Sequence, residues 1–377
     1  MDRFPNLRSL VEAVHDSPTR LVLALSGGGA RAATSLLEVP GASRTVLEAT
    51  VPYSEAALTG WLGGRPDRFC AESTARSMAV AAWLRARQWV EDEDAPVAGI
   101  ACTASLASDR PKRGPHRAHV AVQTDAATLS LSLELCKGAR SRQQEERLVA
   151  GLILNATAEA CEVEDRLELD WLEGEHIERT QTIAPPAWRN LLAGRTQRVA
   201  HGPRAEQPPE ALFPGAFNPL HVGHRRMAAL AARRLDVPVA FEISILNADK
   251  PPLDYTEMER RLAGFSPGET IWFSRAMTFE RKSELFGGVT FIVGADTIRR
   301  IAEVRYYGDA AARQAAFDRM ASRGCRFLVF GRALGEGFHG LGDLDLPDAL
   351  STLCEGVPAE EFREDISSTE LRREEEG

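Results

Sequence analysis

Short strand-like runs alternate with helix-like segments from residue 211 onward, and this pattern limits the possible folds more than any other feature of the chain. Strands are predicted at 211–213, 240–246, 270–274, 289–293 and 326–330, and helices at 222–235 and 256–263. Parallel strands need long crossover connections, which helices usually supply, so the alternation predicts a parallel sheet covered by helices. In such sheets ligands bind at the carboxyl ends of the strands.

The first half of the chain shows a second pattern of the same class. An apolar run at 21–25 meets Gly27-Gly28-Gly29 and then small residues, which predicts a strand, a tight turn and a helix. Further strands are predicted at 97–102, 118–123 and 129–135, and helices at 71–89 and 142–161. The alternation of Ser and Leu in 129–135 predicts a strand with one solvated face.

We therefore predict two α/β domains, the second of them a Rossmann-like parallel-sheet domain. The first domain is expected to span 1–163 and the second 210–377. Residues 164–209 are acidic and then rich in Pro, Gly and Arg, which indicates a linker with one short helix at 188–193.

Composition and charge favour a globular protein that acts on small molecules. The 377 residues are 44% hydrophobic and 26% charged, as in soluble domains. The net charge of -9 argues against nucleic-acid or anionic-membrane partners. Six cysteines form no C-x-x-C pair, so neither a zinc site nor a redox dithiol is indicated. The N-terminus lacks a signal pattern and no run is long enough to span a bilayer, which predicts a cytoplasmic protein.

Two histidines stand at the start of a predicted helix, directly after a strand-like run. His221 and His224 lie where helical N–H groups and the positive end of the helix dipole favour phosphate oxygens. Gly215 is expected to permit close approach of a backbone, and Gly223 to leave room for a triphosphate. The alternative is a capped helix with structural histidines.

A second polar motif lies near the C-terminus. Three hydroxyl residues, Ser367, Ser368 and Thr369, precede Arg372 by about one helical turn. By itself the segment is also typical of a helix N-cap, since Ser367 and Glu370 have capping-box spacing. Together with the histidine motif, it resembles the I-S-S-T-x-[IL]-R signature of the HIGH-type nucleotidyltransferase superfamily.

Within that superfamily, residues 210–373 most resemble the nicotinamide or nicotinic acid mononucleotide adenylyltransferases. Phe217-Asn218-Pro219 resembles their F-[ND]-P motif, Lys250-Pro251-Pro252-Leu253 their loop before Arg260, and Gly294-Ala295-Asp296-Thr297 their G-A-D-[ST] motif. The resemblance implies in-line attack by a mononucleotide phosphate on the α-phosphorus of ATP. It also implies Mg²⁺ as cofactor, release of pyrophosphate and no covalent enzyme intermediate.

The resemblance further implies roles for individual residues. His221, His224 and Arg372 would be catalytic, with the histidines stabilising charge in the transition state. Ser368, Thr369 and Arg372 would hold the β- and γ-phosphates, and Asp296 would accept a hydrogen bond from a ribose hydroxyl. The full set of implied nucleotide contacts is Gly215, Phe217, Asn218, Gly223, Lys250, Gly294, Asp296, Ser367, Ser368 and Thr369. No residue is assigned as a metal ligand.

Some of these assignments have alternatives. Lys250 could bind phosphate or be a surface lysine, and Trp272 could stack on a pyridine ring or belong to the core. The motifs recognise a nucleoside triphosphate and leave the acceptor open. The partners are therefore ATP and a small phosphorylated acceptor. The alternatives are a cytidylyl- or adenylyltransferase with another phosphorylated acceptor, and a non-catalytic nucleotide sensor.

The first half resembles the CinA C-terminal, or nicotinamide-nucleotide amidase, family. The resemblance rests on Ala24-Leu25-Ser26-Gly27-Gly28, on Val39-Pro40-Gly41-Ala42-Ser43 and on Val51-Pro52-Tyr53-Ser54. Ala24 stands where the family has its nucleophilic serine and Leu58 where it has the activating lysine. A methyl group cannot attack an amide and an isobutyl group cannot take a proton.

We therefore predict no amidase activity and expect this half to serve as an oligomerisation or nucleotide-binding module. The family resemblance implies a homo-oligomer. Ser26 could substitute as nucleophile, although it matches the family's threonine. Several basic residues could bind phosphate or form a solvated loop: Arg31, Lys112, Arg113, His116 and His119.

Overall fold

The computed structural model describes residues 6–110, 112–334 and 337–363. Its contacts divide the chain into two compact units. The first comprises Met1–Ala193 and Asp249–Glu257, and the second Gly194–Ala248 and Met258–Gly377. Each unit is built on its own α/β sheet, which confirms the predicted fold class. No helix in the described part of the chain is long and apolar enough to cross a membrane.

The first unit contains a six-stranded sheet in the order β2-β1-β3-β4-β5-β6. Its strands are β1 (Arg20–Ser26), β2 (Val46–Thr50), β3 (Val97–Ser105), β4 (His116–Gln123), β5 (Ala127–Leu135) and β6 (Ile177–Ile183). Its helices are α1 (Leu7–Asp16), α2 (Arg31–Glu38), α3 (Ala42–Thr45), α4 (Glu55–Leu62), α5 (Glu72–Trp89), α6 (Arg142–Ala160) and α7 (Pro186–Ala193). Strand β1 pairs in parallel with β2 and β3, and the remaining pairs are antiparallel.

Helices cover both faces of this sheet. Side chains alternate along a strand, so Leu21, Leu23 and Leu25 of β1 pack in one cluster with α1, α2 and α6. Ala24 on the opposite face packs in a second cluster with α4 and α5. The predicted solvated face of 129–135 is therefore wrong at Ser130. Its buried hydroxyl donates a 2.6 Å hydrogen bond to Glu72 of α5, so a polar residue there indicates a paired position rather than an exposed one.

The predicted linker is mostly structured. Between residues 164 and 209, β6 adds to the first sheet, α7 forms at the expected place, and β7 (Arg198–His201) adds to the second sheet. The prediction missed β6 because it is an edge strand with most of its side chains exposed, so its sequence carries no apolar alternation.

The second unit contains a seven-stranded sheet in the order β15-β12-β11-β8-β9-β10-β7. After β7 its strands are β8 (Ala211–Pro214), β9 (Val239–Ser244), β10 (Ile271–Ser274), β11 (Thr290–Gly294), β12 (Arg326–Phe330) and β15 (Cys354–Val357), with β13 (Arg332–Leu334) and β14 (Gly337–His339) forming a separate hairpin. Its helices are α8 (Val222–Leu235), α9 (Tyr255–Leu262), α10 (Phe279–Leu285), α11 (Ala295–Ile301), α12 (Ala310–Ser322) and α13 (Asp348–Ser351). Helix α9 begins in the segment that is grouped with the first unit.

Strand order defines a crevice in this sheet. All pairs except β7 with β10 are parallel, and numbering the parallel strands in chain order gives 3-2-1-4-5-6. The direction of winding therefore reverses between β8 and β11. In doubly wound sheets, ligands bind outside the carboxyl ends of the strands at such a switch point. The histidine motif follows β8, and the Gly294–Asp296 motif follows β11.

Candidate functional site

The loop after β8 is shaped by an aromatic ring that folds back over it. Phe217 has a positive φ of 46°, an uncommon conformation for a residue with a side chain. Its ring packs edge-on against Phe213 and Phe241 at centroid distances of 5.3 Å each. A methyl group at Gly215 would lie 2.6 Å from this ring. The space above Gly215 is therefore filled by the ring of Phe217.

Helix α9 holds the same loop from its last turn. Arg260 donates a hydrogen bond to Oδ1 of Asn218, and Arg261 Nη1 donates to the carbonyl oxygen of Ala216 at 3.0 Å. The Asn218–Pro219 peptide bond is cis. Asn218 thus lies in the predicted loop, and its amide oxygen is engaged by a neighbouring arginine.

His221 and His224 lie together at the start of α8. Their rings stack with centroids 3.6 Å apart and planes 28° from parallel. The backbone N–H of His221 donates to Nδ1 of His224 at 3.2 Å, so Nε2 carries the proton of His224. A methyl group at Gly223 would lie 3.1 Å from the His221 ring, so a side chain at this position would crowd the stacked histidine.

His224 is a neutral hydrogen-bond donor. Burial is the main cause that lowers its pKa, to about 3, and the nearby charges of His221 and Arg332 lower it further. At neutral pH the ring therefore presents an Nε2–H donor and carries no formal positive charge.

An acidic and a basic side chain meet at the ends of the neighbouring strands. Asp296 lies in the first turn of α11, where its Oδ1 would be 2.7 Å from a methyl group at Gly294. Its Oδ2 lies 3.5 Å from Nη1 of Arg332, which follows β12. Oδ1 is buried and has no hydrogen-bond partner among the described residues. Gly294 thus accommodates the Asp296 carboxylate, whose Oδ1 accepts no hydrogen bond from the described residues.

The structure thus brings four polar side chains to the carboxyl ends of β8, β11 and β12. They are His221, His224, Asp296 and Arg332. Sequence reasoning missed Arg332, although its position directly after an apolar strand is the signal that could have identified it. It also missed Arg261. Within the described chain, no group of three or more His, Cys, Asp or Glu side chains could hold a metal ion.

Among the other predicted residues, Lys250 belongs to the first unit and Trp272 to the core of the second. The Lys250 side chain is exposed, and the segment that contains it is grouped with the first unit. The Cα atom of Lys250 would lie 2.6 Å from a methyl group at Gly64. Trp272 is a core residue of β10: its ring packs edge-on against Phe286 and under Arg198. The hydroxyl motif of Ser367, Ser368 and Thr369, and Arg372 with it, lies outside the described residues.

In the first unit, the two positions that depart from the amidase pattern are apolar and fully buried. Ala24 is 0% exposed and Leu58 1% exposed, and both belong to one cluster with residues of α5. Ser26, the other candidate nucleophile, donates a 3.0 Å hydrogen bond to the carbonyl oxygen of Pro52. We find no nucleophile and base pair at these positions.

The glycine turn of the first unit is occupied by the protein's own side chains. Glu146 of α6 accepts hydrogen bonds from the backbone N–H of Gly29 at 2.9 Å and of Arg31 at 3.2 Å. Arg142 donates to the carbonyl oxygen of Gly27 at 2.9 Å. The N–H groups at the start of α2 therefore already hold a carboxylate.

Three of the candidate phosphate-binding side chains of this unit have protein partners as well. His116 Nδ1 lies 2.7 Å from Glu145, His119 Nδ1 2.8 Å from Ser132, and Lys112 Nζ 3.2 Å from Ser105. Burial, with nearby Arg117, lowers the pKa of His119 to about 4. This histidine is therefore neutral at physiological pH.

No protein-family model matches the chain, and no curated protein matches it. Solved structures of CinA-type proteins do. The competence/damage-inducible protein CihA from Agrobacterium tumefaciens is 21% identical, with 43% of this chain and 96% of that chain covered and a TM-score of 0.32. A CinA superfamily protein from Escherichia coli is 18% identical (41% and 89% covered, TM-score 0.33), as is a competence or damage-inducible protein from Enterobacter asburiae (41% and 96%, 0.33). The chain is thus similar to CinA-type proteins over part of its length.

Proposed function

We propose that the second unit transfers an adenylyl group from ATP, bound as its Mg²⁺ complex, to nicotinamide or nicotinate mononucleotide and releases pyrophosphate. The observation that supports this most directly is the stacked pair His221 and His224 at the start of α8, at the switch point of the parallel sheet. A helix N-terminus at that place favours phosphate groups.

The reaction requires charge stabilisation more than covalent chemistry. An oxygen of the acceptor phosphate bonds to the α-phosphorus while the bond from that phosphorus to the bridging oxygen of the β-phosphate breaks. His224 would donate a hydrogen bond from Nε2 to the developing charge, since a neutral donor held in place needs no reorganisation. Arg332 would add a fixed positive charge, and Asp296 would accept from a ribose hydroxyl. Ser368, Thr369 and Arg372 remain the residues proposed for the β- and γ-phosphates.

The acceptor is the least constrained part of the proposal. A cytidylyl- or adenylyltransferase that uses another phosphorylated acceptor would need the same histidine pair. A non-catalytic sensor would keep nucleotide binding without turnover, but it would not need His224. For the first unit we propose a role in oligomerisation or nucleotide binding without amidase activity, because Ala24 and Leu58 are packed in an apolar cluster.

The direct test is to incubate the full chain with Mg²⁺, ATP or CTP, and each candidate acceptor, and to follow pyrophosphate together with the product mass. Pyrophosphate and a dinucleotide product from ATP and a pyridine mononucleotide would support the proposal. His224→Ala should lower kcat by about 10²-fold or more, as loss of an oxyanion donor does. His176→Ala, at an exposed histidine of the first unit, is the matched control. ATP binding without pyrophosphate from any acceptor would favour the sensor.

A further inference from the structure

The segment 249–257 is anchored by buried contacts within the first unit. Tyr255 is 0% exposed: its hydroxyl donates to the carbonyl oxygen of Asp125 at 2.9 Å, and its backbone N–H to Oγ1 of Thr128 at 3.1 Å. Thr256 adds a 3.0 Å hydrogen bond to Thr182. A methyl group at Gly64 would lie 2.5 Å from the carbonyl oxygen of Asp249, so the segment's backbone depends on a glycine there.

Asp254 combines two roles at the start of this anchored helix. Its Oδ1 accepts from Nε of Arg76 at 3.2 Å and from the backbone N–H of Glu257 at 3.0 Å. The first contact is a buried ion pair, since the two side chains are 9% and 2% exposed. The second contact is an N-cap of α9. The same carboxylate therefore fixes the position of α9 and satisfies one of the free N–H groups in its first turn.

The other end of α9 holds the loop that follows β8. Arg260 binds the side chain of Asn218, and Arg261 binds the backbone of Ala216. Because α9 is a single short helix, Tyr255–Leu262, a change at its first turn is transmitted to its last turn by the backbone itself. The contacts at the start of α9 lie within the first unit, and the contacts at its end lie within the second. The helix backbone itself connects the two sets of contacts.

We infer that Arg76 and Asp254 are positioning residues for the Ala216–Asn218 loop, acting through α9. The first unit thereby has a function besides any ligand binding, because it sets the order of a loop beside the histidine pair. The effect on catalysis rests on the proposed adenylyl transfer, whereas the effect on loop order does not.

Hydrogen exchange of the full chain without substrates tests the inference directly. The amides of Gly215 and His221 report on the loop, since they are bonded to the carbonyl oxygen of Glu242 and to Nδ1 of His224. Asp254→Ala should speed their exchange about tenfold or more, because it removes both the cap and one partner of a buried pair. Asp254→Asn keeps a cap acceptor and should have a smaller effect.

Two further variants keep the test decisive if Asp254→Ala fails to fold. Gly64→Ala should also speed exchange at Gly215 and His221, and Tyr255→Phe should do so weakly. Two controls should leave both amides unchanged. They are Gly60→Ala, where a methyl group meets nothing within 4 Å, and Arg85→Ala, which lies on the same helix α5 as Arg76 but pairs with Glu48 of β2.

Activity gives a second readout if the chain proves to be a transferase. Asp254→Asn and Gly64→Ala should raise KM for ATP by more than they lower kcat, because they disorder a binding loop without removing His224. Faster exchange confined to 249–257, with Gly215 and His221 unaffected, would overturn the inference. Absence of transferase activity would overturn the proposed function and leave the exchange result to decide the inference on its own.

Discussion

A buried ion pair supports the strand next to the histidine site, and breaking it should destabilise the second unit strongly. Glu242 of β9 and Lys282 of α10 are 0% and 6% exposed, with Oε2 and Nζ 2.7 Å apart. Ser274 and Ser244 donate to Oε1 of Glu242 at 2.5 and 3.1 Å, and Lys282 donates to the carbonyl oxygen of Ala276 at 3.2 Å. Each partner of the pair thus has further hydrogen-bond partners within the protein.

Lys282→Met removes one charge and leaves the Glu242 carboxylate buried with only its two hydroxyl donors. Losing one partner of a buried pair costs about 3–5 kcal/mol, and the remaining serine hydrogen bonds place the expected loss near the lower end, about 3 kcal/mol. With a denaturant slope of about 2 kcal/mol/M, the urea midpoint of this unit should fall by about 1.5 M. The double variant Glu242→Gln, Lys282→Met should recover part of that loss, since no unpaired charge remains.

Hydrogen exchange of peptides from β9 and β10, followed against urea concentration, measures the second unit separately from the first. Arg281→Met is the matched control: Arg281 is the preceding residue of α10, and its pair with Glu284 is largely solvent-exposed. We expect that control to change stability by no more than about 0.5 kcal/mol. Equal midpoints for Lys282→Met and Arg281→Met would refute the reasoning that the buried pair is the sensitive element.

Three further predictions concern the site and the first unit. Because the pKa of His224 is lowered to about 3, below its unfolded value of about 6.5, the neutral ring stabilises the fold above pH 6.5 and this contribution is lost as the pH falls towards 3. His224→Gln should therefore lose less stability than the wild type between pH 6.5 and 4 in urea titrations, and imidazole NMR should show no His224 titration between pH 5 and 8. Gly215→Ala should destabilise the second unit by about 1–3 kcal/mol through overlap with Phe217, whereas Gly268→Ala, with open space around it, should not, as thermal unfolding would show. The wild-type chain should release no ammonia from nicotinamide mononucleotide, and ammonia release that Ser26→Ala abolishes would contradict the assignment of the first unit.

The sequence predicted the architecture well where apolar periodicity was strong. Helix α8 was predicted at 222–235, where the structure has it, and strand β12 at 326–330. The short edge strands β6 and β15 were missed because edge positions tolerate polar residues, as in the exposed stretch of β6 and at Glu355 of β15. The local sequence pattern was therefore enough to predict the central strands. The edge strands form by pairing with segments that are distant in the sequence, which a local pattern does not reveal.

The roles of individual site residues were harder to predict. Gly215 was expected to permit close approach of a backbone and Gly223 to leave room for a triphosphate, and the structure places a ring of the same loop beside each of them: Phe217 beside Gly215 and His221 beside Gly223. A sequence marks where a side chain must be absent and does not say what fills the space. Arg332 was missed because its importance depends on β12 lying beside β11 in the sheet, which is a long-range fact. The histidine pair was found because its spacing and its place before a helix are both local.

The carboxylate of Glu146 occupies the glycine turn of the first unit as an anion that belongs to the protein itself. A phosphate from solution that sought the N–H groups of Gly29 and Arg31 would compete with a carboxylate attached to the same chain. The effective concentration of such an attached group is on the order of millimolar or higher, so dilute metabolites would be displaced from this turn. The N–H groups of the turn are therefore hydrogen-bonded without a bound ligand. A domain built in this way can lose its ligand chemistry and still keep its fold.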